Sequence, residues 1–125
     1  MAHLLIVAAG GALGSGLRHL INLATIRWLG PNFPWGTVFV NILGCFAMGV
    51  VTEMLSRRLG ASAELRLFIA TGFLGGFTTF SAFSLDFAVL YERGALLQAG
   101  AYVAASVLLS MAAVFVGMWL ARTLA

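Results

Sequence analysis

The chain has 125 residues, of which 62% are apolar and 9% are charged, whereas soluble domains carry about 25% charged residues. This composition excludes an ordinary soluble domain. A spanning helix needs about 20 apolar residues, so the length holds about four crossings and no separate soluble domain. The net charge of +3 comes from seven arginines and four acids, which is too sparse for a nucleic-acid interface. We therefore expect a small membrane bundle without a nucleic-acid partner.

Four apolar stretches separated by short polar breaks predict an all-α membrane protein with one domain, residues 1–125. The expected helix bounds are about 3–29, 35–57, 64–92 and 94–124. Pro31 and Pro34 mark the first break, residues 57–62 form the second, and Ser62 is a candidate N-cap for the third helix. Loops this short favour antiparallel neighbours.

The first helix combines a small-residue pair with an isolated charge. Gly10 and Gly14 form a G-x-x-x-G pair, which is typical of helices that pack closely in lipid. Arg18 lies about 22 Å along the helix axis at about 1.5 Å per residue. We expect Arg18 either to reach the far interface or to face a water-filled vestibule.

The arginines barely distinguish the two sides of the membrane. Four crossings place Arg57, Arg58, Arg66 and Arg122 on the side of the termini, and Arg27 and Arg93 on the other side. The positive-inside rule then favours cytoplasmic termini. The margin is narrow, so orientation is weakly specified.

Residues 72–84 (GFLGGFTTFSAFS) predict an interruption near the middle of the third segment. Non-helical backbone at this depth is tolerated where it is buried in protein or lines a water-filled cavity, and broken helices are the usual pointer to an ion or substrate site. Freed carbonyls can bind a cation, and freed amides can face an anion. A kink stabilised by neighbouring helices is the alternative.

Aromatic and polar side chains accompany this interruption. Phe80 and Phe83 are three residues apart and so lie on one helical face, and the positive edges of their rings suit an anion. Packing is the alternative role for the rings. In the second helix Thr37 and Asn41 are four apart, and an amide in hydrocarbon must find a partner. In the fourth helix polar residues recur every fourth position, either as contacts between helices or as a pore lining: Gln98, Tyr102, Ser106 and Ser110.

The sequence resembles the fluoride channel family (Fluc, also called CrcB) over essentially its whole length. The matching segments are residues 11–18 (GALGSGLR), 35–37 (WGT), 40–41 (VN) and 72–84. The third-segment motif and its spacing to residues 40–41 are highly specific. The polar positions of the fourth helix match as well.

This resemblance implies an antiparallel, dual-topology homodimer with two fluoride pores along the subunit interface. It also implies a structural sodium ion at the dimer centre, bound by the backbone carbonyls of Gly75 and Thr78. The implied pore residues are Asn41, Phe80, Phe83, Tyr102, Ser106, Ser110 and the vestibule residue Arg18. The expected partners are fluoride, a second copy of the chain and membrane lipid, and the expected location is the cell inner membrane.

Two positions depart from the family pattern. Ala82 stands where threonine is usual, and Asp86 stands where a glutamate commonly occurs. Ala82 lacks a hydroxyl and Asp86 has a shorter side chain, so we expect these changes to affect the pore lining rather than the fold.

The implied function is passive, selective export of fluoride, which protects the cell from fluoride toxicity. A small proton-coupled multidrug exporter is the alternative, but such a transporter needs a membrane-embedded acid, typically in its first helix, and the first helix here has none. A structural membrane subunit without flux of its own is a third possibility. An enzyme is not expected, because His3 and His19 lack partners at metal-ligand spacing.

Overall fold

The computed structural model describes residues 1–57 and 62–124, and these residues form helices without any strand. The helix bounds are α1, Ala2–Leu29; α2, Trp35–Arg57; α3, in the three consecutive pieces Ala63–Arg66, Leu67–Leu74 and Gly75–Phe77; α4, Ser81–Glu92; and α5, Leu96–Leu124. With α3 and α4 taken as one segment, four segments are long and apolar enough to span a membrane. The prediction of four membrane helices with a broken third is therefore confirmed. Most of the expected polar turn, residues 58–61, lies outside the described residues.

Local hydrogen bonds and backbone conformation determine where the third and fourth segments begin. Ser62 caps α3 as expected, because its hydroxyl accepts the Leu65 amide at 3.0 Å. Gly94 has φ of +78°, a conformation that glycine adopts without a steric penalty. Because of this turn, the last helix begins at Leu96 rather than near residue 94.

Helix α1 packs against α3 at backbone distance through the predicted glycine pair. A Cβ on Gly10 would lie 2.9 Å from the Phe73 amide nitrogen, and a Cβ on Gly14 would collide with the Phe73 carbonyl oxygen. Small residues permit such an approach in lipid, where hydrophobicity does not draw helices together. The close packing predicted for Gly10 and Gly14 is thus confirmed.

Helices α2 and α5 lie side by side and run parallel, as alternate members of an antiparallel series must. Gly49 faces the backbone of Val114, and further along both helices Glu53 accepts a hydrogen bond from Arg122 Nε at 3.0 Å. Glu53 is buried, and the ion pair compensates for the desolvation of its carboxylate. The parallel register brings the middle of α5 beside Asn41 and the interrupted segment.

Candidate functional site

The third segment is interrupted between Phe77, where α3 ends, and Ser81, where α4 begins. Thr78 is extended, with φ of −85° and ψ of 160°, so the chain leaves the helical path near the centre of a 30-residue span. The eight residues before this last short piece, Leu67–Leu74, form wider π-helical turns, which frequently occur at functional sites.

The side chain of Asn41 replaces part of the lost helical hydrogen bonding. Asn41 Oδ1 accepts the Thr79 amide at 2.8 Å, and Asn41 Nδ2 donates to the Thr79 carbonyl at 3.0 Å. The sequence predicts that this amide needs a partner, and the structure places that partner in the backbone of the interruption. Asn41 therefore holds the non-helical segment against α2.

A second amide of the interruption is also bound by a side chain. The Ala82 amide donates to Thr79 Oγ1 at 3.1 Å. In a continuous helix the amides of Thr79 and Ala82 would donate to the carbonyls four residues earlier, which are those of Gly75 and Thr78. Because both amides bind side chains, these two carbonyl oxygens lack their helical donors.

A cleft of about 440 Å³, here called the break cleft, opens beside the interruption. Seven of the nine site residues expected from the sequence line it: Asn41, Gly75, Thr78, Phe80, Phe83, Ser106 and Ser110. Cys45, Thr79, Val107, Met111 and Val114 complete its lining. Residues from α2, the third segment and α5 thus meet on one surface.

Two hydroxyls in the break cleft are available to a ligand. Within the described part of the chain, Ser106 Oγ is buried without a hydrogen-bond partner, and the buried Ser110 Oγ has only the Cys45 thiol, a weak hydrogen-bonding group, beside it. Most buried polar atoms in native proteins have a hydrogen-bond partner. The residue Ser106 is only 4% exposed, so its hydroxyl is shielded from solvent within the single chain.

The two expected phenylalanines are adjacent but differ in environment. Their ring centroids are 5.6 Å apart with an interplanar angle of 49°. Phe80 is 76% exposed, whereas Phe83 is 8% exposed and packs on Tyr102 at 5.1 Å. A single helical face would give them similar burial. They differ because Phe80 lies in the interruption and Phe83 lies in α4.

Tyr102 belongs to a buried polar network next to the break cleft. Its hydroxyl donates to Asp86 Oδ2 at 3.0 Å, and Thr37 Oγ1 donates to the same oxygen at 2.8 Å. Tyr102 is fully buried. All three residues stand out in the sequence, but their hydrogen bonds to one another could not be predicted from it. The signal was that Asp86 is the only acid well inside a predicted crossing, and such an acid needs donors.

Asp86 and Thr37 also line a second polar cleft of about 330 Å³, here called the loop cleft. It opens beside residues 31–34, between α1 and α2, and its other polar lining residues are Asn22, Thr25, Asn32 and Arg93. Arg93 Nη2 donates to the Asn32 carbonyl at 2.9 Å. The network of Tyr102 therefore lies between two clefts.

Three of the expected polar residues line neither cleft: Tyr102, which belongs to the network described above, Arg18 and Gln98. Arg18 is half-buried on α1 and is absent from the residues that line the break cleft and the loop cleft. Gln98 is exposed near the start of α5, unlike the buried Tyr102 one turn later. The polar side chains of the fourth helix are therefore buried within the bundle only from Tyr102 onward.

Comparison with known proteins identifies the family. Residues 5–118 match the family described as CrcB-like protein, Camphor Resistance (CrcB). The chain belongs to the CrcB family. Its relatives include proteins named fluoride-specific ion channel FluC in Mesorhizobium japonicum, 58% identical over 99% of both chains, and in Chelativorans sp., 59% identical over 99% of both. A third FluC, from Rhizobium leguminosarum bv. trifolii, is 57% identical over the full length of both chains.

These relatives carry the name of an ion channel and not of an enzyme, as the sequence resemblance implies. The protein is therefore a multi-pass membrane protein of the CrcB family.

Proposed function

We propose that this CrcB protein is a fluoride-selective channel that passively exports fluoride and so protects the cell from its toxicity. The observation that carries the proposal is the break cleft, where the buried hydroxyls of Ser106 and Ser110 line the same surface as Phe80 and Phe83. The name of the FluC relatives supports the same ion. A proton-coupled exporter is disfavoured, because one carboxylate oxygen of Asp86 already accepts two hydrogen bonds.

Fluoride is small and strongly hydrated, so a selective path must replace its water with closely spaced donors. The hydroxyls of Ser106 and Ser110 can donate to the ion, and the ring edges of Phe80 and Phe83 add positive electrostatic potential. No basic side chain lines the break cleft. An ion held in this way binds weakly enough to leave, as conduction requires.

The working unit in this proposal is an antiparallel, dual-topology homodimer in the cell inner membrane. The break cleft contains non-helical backbone at mid-membrane depth, and lipid cannot satisfy such backbone. A second copy covers it and completes two pores along the interface. The 76% exposure of Phe80 in the single chain and the narrow difference in arginine count between the two sides support this arrangement.

A structural sodium ion at the dimer centre completes the proposal. Gly75 and Thr78 line the break cleft, their carbonyl oxygens lack helical donors, and carbonyl oxygens suit a hard cation. These two residues from each copy would hold the ion. A bound sodium ion would neutralise the partial negative charge of the freed carbonyls and fix the two interruptions relative to each other.

The direct test is an efflux assay on purified protein in proteoliposomes loaded with fluoride or chloride. We expect fluoride to leave at channel-like rates and chloride to be retained. Protein-free vesicles measure the background leak. Equal rates for the two anions, or fluoride release that requires a proton gradient, would contradict the proposed function. Cysteine cross-linking of oppositely oriented copies tests the dimer separately.

A further inference from the structure

The loop cleft is a polar cavity that the proposed pore lining does not use. Its lining includes residues 31–34 and Arg93, which lie outside the helices at the ends of membrane-spanning segments. It also includes Thr37 and Asp86, which lie within helices and hydrogen bond in the network of Tyr102. Tyr102 in turn packs on Phe83, which lines the break cleft. Direct contacts thus connect the lining of the loop cleft to that of the break cleft.

The charges of the loop cleft have opposite effects on an approaching anion. Among its lining residues Asp86 is the one acid and Arg93 is the one base. The carboxylate of Asp86, in the middle of α4, repels an anion. The guanidinium of Arg93 attracts an anion. Arg93 is exposed and directly follows α4, so an ion from solution can reach it.

One hydrogen bond fixes Arg93 in this place. Its Nη2 donates to the carbonyl of Asn32, and a guanidinium has five N–H donors in all, so further donors remain for an ion or its water. We propose that the positive charge of Arg93 concentrates fluoride at the loop cleft and offsets the repulsion by Asp86. This inference rests on the proposed function and adds an entry step to it.

Two substitutions test the charge of Arg93. Arg93→Gln removes the charge on a side chain two bonds shorter, and Arg93→Lys keeps the charge on a side chain one bond shorter. A role that depends only on the hydrogen bond to the Asn32 carbonyl would be impaired in both. We expect Arg93→Gln to slow fluoride efflux by about threefold at about 0.01 M salt, where the Debye length is about 30 Å, and to leave it nearly unchanged at about 1 M, where it is about 3 Å. Arg93→Lys should retain most of the wild-type rate at both salt concentrations.

The matched control is Arg27→Gln. Arg27 lies in the last turn of α1, on the same side of the membrane as Arg93, but does not line the loop cleft. At about 0.01 M salt the charge of Arg27 still acts over about 30 Å, so we expect a loss of efflux clearly smaller than in Arg93→Gln, and at about 1 M salt we expect the wild-type rate. The efflux is measured in proteoliposomes with a salt of impermeant ions, and the melting temperature of each variant confirms that it is folded.

Three outcomes would overturn the role of Arg93 while fluoride still passes through the wild-type protein. They are an unchanged rate in Arg93→Gln at low salt, an equal and salt-independent loss in Arg93→Gln and Arg93→Lys, or an equal loss in Arg27→Gln. A wild-type protein that passes no fluoride at either salt concentration would instead refute the proposed function, and the entry step with it.

Discussion

Asn41 binds Thr79 through both ends of its side-chain amide, accepting from the Thr79 amide at 2.8 Å and donating to its carbonyl at 3.0 Å. This paired contact gives the interrupted segment the hydrogen bonds that a helix would otherwise supply. It also diverts the Thr79 amide from the Gly75 carbonyl. One side chain on α2 therefore both stabilises the interruption and leaves an oxygen free beside the break cleft.

Asn41→Asp should lower fluoride efflux by about tenfold or more, equivalent to about 1.4 kcal/mol or more. Aspartate keeps an acceptor for the Thr79 amide but loses the donor to the Thr79 carbonyl, and its negative charge would face both that oxygen and the passing anion. Efflux from proteoliposomes measures the effect. Gln98→Glu is the control, because it makes the same amide-to-carboxylate change at an exposed residue that lines neither cleft. Normal flux in Asn41→Asp would reject Asn41 as part of the pore.

Gly14→Ala should destabilise the protein by about 1–3 kcal/mol, the usual cost of overpacking. The new Cβ would meet the Phe73 carbonyl oxygen and lie 2.9 Å from the Phe77 amide nitrogen, and backbone atoms cannot move aside as a flexible side chain can. Gly16→Ala is the matched control, because a Cβ at Gly16 meets nothing within 4 Å. Melting temperature in detergent distinguishes the two. Equal melting of both variants would contradict the close contact of α1 and α3.

Much of this architecture could be predicted because membrane helices leave strong local signals. Glycine spacing predicts that α1 packs closely, although not against which helix, and the cluster of glycines and hydroxyls predicts the interruption. The polar repeat predicts that Ser106 and Ser110 share a face. In each case the signal and the structure lie within a few turns of one helix.

The remaining features depend on pairs that are distant in the chain. Asn41 and Thr79 are separated by 38 positions, and Thr37 and Asp86 by 49. Periodicity says which residues share a face of one helix, but the crossing of two helices decides which faces meet. For the same reason the periodic pattern includes Gln98, although the bundle surrounds α5 only from about Tyr102 onward.

Thr79→Val should weaken the stabilisation of the dimer by sodium. Valine has nearly the shape of threonine but lacks the hydroxyl that accepts the Ala82 amide. That amide is then free to donate to the Thr78 carbonyl, one of the proposed sodium ligands. The readout is the rise in melting temperature when sodium replaces N-methylglucamine, because a ligand that binds only the folded state stabilises it.

We expect a sodium-dependent rise in the wild-type protein and a clearly smaller one in Thr79→Val. Thr123→Val serves as the control, since the Thr123 hydroxyl donates to the Leu120 carbonyl at the far end of α5. A wild-type melting temperature that does not respond to sodium would reject the proposed ion. An undiminished rise in Thr79→Val would reject the freed Thr78 carbonyl as its ligand.

Phe80→Ile should slow fluoride efflux by about tenfold, which corresponds to about 1.4 kcal/mol, without a comparable loss of fold stability. Isoleucine keeps an apolar side chain but removes an aromatic ring, with its positive edge, from the lining of the break cleft. Because Phe80 is 76% exposed in the single chain, its replacement leaves the packing within the bundle intact. Phe87→Ile is the matched control. Phe87 lies in α4, close to Tyr91, and does not line the break cleft. The Phe87→Ile protein should therefore conduct fluoride at the wild-type rate. Efflux and dimer content by size-exclusion chromatography are measured together, and normal flux in a dimeric Phe80→Ile would show that the ring edge is not required for conduction.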